Sequence, residues 1–216
     1  MPGRISGKTL CCSLGVVLAM ESAGFFFIHA LKLPPLLAVG FIRMLETILL
    51  LFLLKSRGGI FASLGIRRQN LLRDIGRGLL WSVGFGLLTL VAALLIFLWG
   101  GYPPDLVAVR LPPTLSFFLL LLAVGAFLSP VAEEIFFRGI LFGFLRQWGF
   151  VPALILSTAL FAFIHPTGPG FPVIQVIGGI LFATAYEVEG SLVVPIVIHG
   201  LGNSALFFLS YFSRFF

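Results

Sequence analysis

The sequence predicts an all-α membrane protein, a bundle of about six to eight transmembrane helices enclosing a cavity in its C-terminal half. Three observations carry this prediction. Hydrophobic residues make up 59% of the chain and charged residues 10%, with a mean hydropathy of +1.14, a composition that fits no ordinary water-soluble domain. The apolar residues fall in runs close to the roughly 20 that a helix needs to cross the hydrocarbon core. The basic residues gather at the N-terminus and in one loop instead of covering a surface.

Taken in order, the first apolar run covers residues 9–31. Arg4 and Lys8 precede it, but it contains Glu21 and continues past signal-peptide length with no clear small-residue cleavage site, so it is expected to remain as a helix. Cys11 and Cys12 are adjacent, poorly placed for a disulfide, and read as apolar packing residues. The second run covers 34–54. A basic loop over about 55–77 follows, with Lys55, Arg57, Arg67, Arg68, Arg73 and Arg77 against Asp74 alone. This asymmetry is the positive-inside pattern and places the loop and the N-terminus in the cytoplasm. Within the loop, "LGIRRQNLLRDIGRGL" reads as an amphipathic helix resting on anionic headgroups. The net charge of +6 is therefore a membrane-topology signal, and no nucleic-acid partner is expected.

The third run, 77–100, leads into the Pro-rich connection "GGYPPDLVAVRLPPT", which separates N-terminal helices over 1–114 from a helical core over 115–216, the two forming one integrated membrane domain. In that core, runs are expected at 115–128 continuing into a glutamate segment, then at 150–165, 172–187 and 191–213. The stretch 115–147 is too long for one straight crossing, and Pro130 is placed to kink or split it.

Ionisable groups at membrane depth are costly and usually face a bundle interior or a watery cavity, so they mark where chemistry should be sought. In the N-terminal half, Arg43 and Glu46 lie three apart on one helix and Glu21 lies across an interface, which reads as structural ion pairing; His29 beside Lys32 reads as an interfacial histidine. The C-terminal group is different. "SPVAEEIFFRG" sets Glu134 and Arg138 four apart on one face, with Glu133 about 140° from Arg138 around the axis. Arg138 can then hold Glu134, leaving Glu133 to face a cavity as a base, although one buried ionic knot of all three remains open. "FAFIHP" puts Phe161 and His165 on one face, and "HGLGNS" does the same for His199 and Asn203, with Gly200 and Gly202 permitting close approach. Acid, imidazole and amide on three helices read as one shared site.

No H-E-x-x-H pattern is present, so no metal and no cofactor is assigned; Glu133, His165 and His199 are the combination that would supply three ligands to an ion. Ser204 is the nearest serine nucleophile, and the two aspartates, Asp74 and Asp105, fall in loops.

"EEIFFR", "FAFIH" and "HGLGN" together resemble the EExxxR, FxxxH and HxxxN motifs of the CPBP family, the CAAX protease and bacteriocin-processing or Abi proteins, over roughly residues 115–210. The resemblance implies a glutamate-type intramembrane endopeptidase, similar to type II CAAX prenyl endopeptidases. Glu133 with His165 would activate water, Glu134 with Arg138 would orient it, and His199 with Asn203 would stabilise the oxyanion. It also implies a multi-pass protein of a bacterial or archaeal cell membrane. Its partner would be a peptide or protein presented in or at the bilayer: a prenylated CAAX protein, an exported peptide or a C-terminal sorting anchor. Two readings from other classes stay open, a proton or ion transporter using the Glu/His cluster as a relay and a noncatalytic immunity or scaffold protein.

Overall fold

A chain with this little charge has to close its backbone hydrogen bonds within itself, and helices are the way a single segment does so in hydrocarbon. The computed structural model describes residues 5–56, 64–101, 111–112, 114–165 and 171–212. Among these residues every regular element is helical: α1 Gly7–His29, α2 Pro35–Ser56, α3 Leu71–Leu98, α4 Leu115–Trp148, α5 Phe150–Phe163, α6 Val173–Glu189 and α7 Val193–Phe212. Local chemistry sets the ends. The Ser6 hydroxyl caps α1 by accepting from the Thr9 N–H at 3.2 Å, and the Thr114 hydroxyl accepts from the Phe117 N–H at the start of α4. Gly190 closes α6 in the left-handed conformation (φ 65°), its N–H returning to the Tyr186 carbonyl.

Among the described residues five helices, α1, α2, α3, α4 and α7, are long and apolar enough to cross a membrane. With 14 and 17 residues, α5 and α6 reach only about 21 and 26 Å at 1.5 Å per residue. The core forms around α4, where every residue from Ile135 to Phe142 is buried, against Leu50, Leu54, Phe161, Phe182, Ala183, Tyr186 and Ile198 from its neighbours. By contrast α3 packs along α7 and turns Leu80, Leu87, Leu88, Leu90 and Val91 outward, as a lipid-facing helix does.

Two expectations change in detail. The surface helix expected within 55–77 is instead a 3₁₀ turn, Arg68–Asn70, followed by the first turns of the 28-residue α3, so that Arg73, Asp74 and Arg77 belong to the long helix; residues 57–63 lie outside the described residues. Gly76 and Gly78 do not interrupt it, because a helix tolerates isolated glycines at a modest cost. The Pro-rich connection, with Asp105, also falls largely outside the described residues. Second, Pro130 does not split α4. The helix continues by widening, with π segments at Leu122–Leu128 and Ile135–Phe142 on either side of an α-helical Ser129–Glu134.

The basic residues collect at one end of the bundle. There Arg77 pairs with Glu189 at 2.5 Å, Arg146 forms a two-pronged ion pair with Glu187, and the Leu192 N–H donates to the Leu64 carbonyl. Arg43 bridges Glu46 and Glu21, the pairing that their spacing predicts, and His29 is exposed and stacked on Phe25.

Candidate active site

The site begins with a defect in α4. In the first π segment the Ser129 N–H bonds to the carbonyl of Val124, five residues back. The next bond in that register would run from residue 130 to Gly125, and Pro130 has no N–H to give. Helix α7 supplies the replacement: the Asn203 amide donates to the Gly125 carbonyl at 2.8 Å. One turn earlier on α7, Gly200 lies so close that a Cβ there would stand 2.7 Å from the Ala126 carbonyl oxygen. The two helices lock together where α4 is irregular, and the following turns bring both glutamates to α7.

Glu134 and Arg138 are almost fully enclosed, at 0% and 1% exposure, and their ion pair has Nη1 donating to Oε1 at 3.0 Å. The guanidinium also donates to the Gly179 carbonyl at 3.4 Å and lies over the rings of Phe161 (4.6 Å), Phe182 (5.1 Å) and Phe137 (5.8 Å). An aromatic box of this kind offsets part of the lost hydration of a buried cation. Glu134 has a second function, since its Oε1 accepts from Nδ1 of His199 at 2.8 Å. Glu134 thus orients an imidazole; it does not pair with its neighbour Glu133.

Glu133 is turned away from that pair. Its Oε2 stands 3.5 Å from Nε2 of His165 and 3.8 Å from Nε2 of His199. Two imidazoles from other helices face it. Both rings are fixed from behind. Nδ1 of His165 bonds the Phe161 carbonyl at 2.7 Å, and Nδ1 of His199 bonds the Glu134 carboxylate. A carbonyl and a carboxylate only accept, so in each histidine Nδ1 carries a proton and Nε2 is the nitrogen turned toward Glu133. One carboxylate oxygen and two ring nitrogens therefore converge on one point. That point is reachable from outside, since Glu133 and His165 retain 11% and 29% of their side-chain exposure.

The structure brings together Glu133, Glu134, Arg138, His165 and His199. Asn203 sits one turn along α7 from His199, its amide engaged by backbone. Ser204 back-bonds to the Gly200 carbonyl at 2.8 Å within its own helix. The metal alternative draws on Glu133, His165 and His199, whose lone pairs are of a suitable kind; among the described residues no group of three such side chains is arranged to hold an ion. Phe161 lines and orients as its spacing predicts. Sequence reasoning misses Phe182, whose ring stacks on His199 at 4.5 Å and 19°, and Gly179, whose carbonyl receives Arg138. The "GG" at 178–179 is the one signal for that approach; a phenylalanine among 25 carries none.

Comparison with known proteins adds an independent line. No curated protein and no solved structure matches the chain. The family model described as Type II CAAX prenyl endopeptidase Rce1-like matches residues 115–205, the stretch that holds both glutamates, both histidines, Arg138 and Asn203. Over that segment, somewhat less than half of its length, the chain is similar to the Rce1-like, type II CAAX prenyl endopeptidase family.

Proposed function

We propose that this protein is an intramembrane endopeptidase in which Glu133 activates water against a peptide bond. The observation that best supports the reading is the convergence of Glu133 Oε2 with Nε2 of His165 and His199, 3.5 and 3.8 Å away, each imidazole fixed by a hydrogen bond at its other nitrogen. Water is the natural complement of such a point. It donates one proton to Glu133 and one to an imidazole, which leaves its own lone pair for a carbonyl carbon. Transfer of a proton to Glu133 as the oxygen adds gives a tetrahedral oxyanion, and the same proton then passes to the leaving amine. General-base help of this kind contributes about 10²–10⁴-fold.

Asn203 keeps a second N–H after serving Gly125, and His199 offers an Nε2–H donor whenever that nitrogen carries a proton. These two groups stabilise the oxyanion, while Glu134 and Arg138 hold His199 in register. The substrate is a membrane-associated protein. On the positive-inside rule the end of the bundle carrying Arg67, Arg68, Arg73, Arg77 and Arg146 is cytoplasmic, together with the N-terminus. His165 lies past the opposite end of α5.

The test compares protein termini in membrane and secreted fractions of cells carrying the wild-type protein or E133Q at matched abundance. Termini present with the wild type and absent with E133Q are expected, and their sequences name the substrate. Identical termini with a folded E133Q protein would sink the peptidase reading and favour an ion relay or a scaffold.

A further inference from the structure

The proposed reaction draws on α4, α5 and α7, yet a second charge cluster from the N-terminal half, with Glu46 buried and Glu21 exposed, lies against that site. Arg43 on α2 donates to Glu46 at 2.5 Å and pairs with Glu21 of α1 at 2.7 Å; Glu46 is 2% exposed and the Arg43 side chain 17%. The cluster reaches the site because α2 closes on the irregular part of α4. At Gly40, one turn before Arg43, a Cβ would stand 2.8 Å from the Val124 side chain, and α2 packs along both the first π segment and Ser129–Glu134. This approach puts Arg43 within electrostatic reach of Glu133 and of His165, and Glu46 within reach of Glu133.

Pinning α1 to α2 does not require this arrangement. A buried ion pair is frequently no more stable than an apolar pair of the same volume, so its presence is weak evidence of a stabilising role. Nor does pinning two helices explain why the shared cation sits where it acts on the candidate base of a third. We propose that Arg43 is a positioning residue of the peptidase site: clamped by Glu21 and Glu46, it is a fixed cation on the α2 side of Glu133 that orients the carboxylate for proton abstraction. The proposal rests on the peptidase reading. It gives the N-terminal helices, which lie outside the matched stretch 115–205, a part in the reaction.

Removing Arg43 alone would strand the buried Glu46, so the test removes both charges. Two variants are used: R43M/E46Q, and R43Q/E46Q, which keeps an amide pair in place of the ion pair. R43K serves as the conservative rescue. The probe is the rate, in pulse-chase, at which cells form the terminus that the wild type makes and E133Q does not. The charge-free variants are expected to melt within a few degrees of the wild type and to process about 10-fold more slowly, the order expected when one charge interaction is lost at an effective dielectric of about 20. R43K is expected to stay within about 3-fold of the wild type. A folded charge-free variant processing within about 2-fold of the wild type overturns the proposal, and so does failure of both to fold, which makes Arg43 part of the scaffold. Persistence of the terminus in E133Q is a separate outcome and refutes the peptidase reading itself.

Discussion

Replacing Arg138 with leucine removes a fully enclosed cation from between Glu134 and three aromatic rings, and the structure sets the size of the effect. Glu134 is 0% exposed, so it has no access to water when its partner is lost. Breaking a buried pair by deleting one member costs about 3–5 kcal/mol, because the remaining charge is uncompensated. His199 still donates to Glu134 Oε1 and moderates the loss, whereas the missing contacts to Phe161, Phe182 and the Gly179 carbonyl add to it. At about 2–4 °C per kcal/mol for a chain of this size, R138L should melt roughly 6–20 °C below the wild type. The assay is thermal unfolding of the purified protein in lipid nanodiscs, followed by intrinsic tryptophan fluorescence and by loss of soluble protein. E134Q/R138L, with both charges gone, should regain most of the difference while processing stays impaired, since His199 has lost its anionic anchor. An R138L protein melting within about 2 °C of the wild type would show that the guanidinium contributes nothing to holding Glu134, and the account of the two glutamates as a divided pair would fail.

Two further outcomes follow from the same geometry. G200A places a methyl group 2.7 Å from the Ala126 carbonyl oxygen, so α7 must move away from α4; lower thermal stability and slower terminus formation are expected together, whereas the same substitution at Gly202, where nothing lies within 4 Å, should be tolerated in both measurements. Exhaustive dialysis of the purified protein against a zinc chelator is expected to leave peptide cleavage unchanged; a chelator-sensitive rate restored by added zinc would instead place an ion among Glu133, His165 and His199.

Much of the fold is legible in the sequence because in hydrocarbon the chain has few alternatives. Each apolar run becomes a helix, with ends at Ser6, Thr114, Gly149 and Gly190 where capping or backbone freedom dictates. Phase is much harder to read. When nearly every residue of a helix is apolar, hydrophobic periodicity does not reveal which face turns inward, and it cannot report an added residue per turn. The π segments on either side of Ser129–Glu134 leave no mark in the pattern for this reason, and Pro130 reads as a kink although the structure absorbs it by widening the helix. Side-chain spacing does anticipate the Glu134–Arg138 pair and the Arg43–Glu46 pair, because four-apart and three-apart contacts depend only on local geometry. It cannot reveal the partner of Asn203, which is a backbone carbonyl, or the two imidazoles facing Glu133, which arrive from other helices.

The irregularities themselves bear on function. Glu133 and Glu134 close a short α-helical stretch between two π segments, His165 lies just beyond the end of α5, and His199 directly precedes the glycine that touches α4. A protein that only needed to pack apolar helices would gain stability from regular ones and from leucine in place of the acids. Instead, the departures from regular helix coincide with the ionisable groups. Pro130 frees the Gly125 carbonyl, which Asn203 of α7 satisfies, and the same helix brings His199 up to Glu134 and Glu133. Holding a proton on each Nδ1 then turns both Nε2 atoms toward the same carboxylate oxygen. Within a membrane a carboxylate faced by two imidazoles is favourable only where protons are shared among them. Water supplies protons of that kind, and in the proposed reaction the same groups would ready it for attack on a carbonyl.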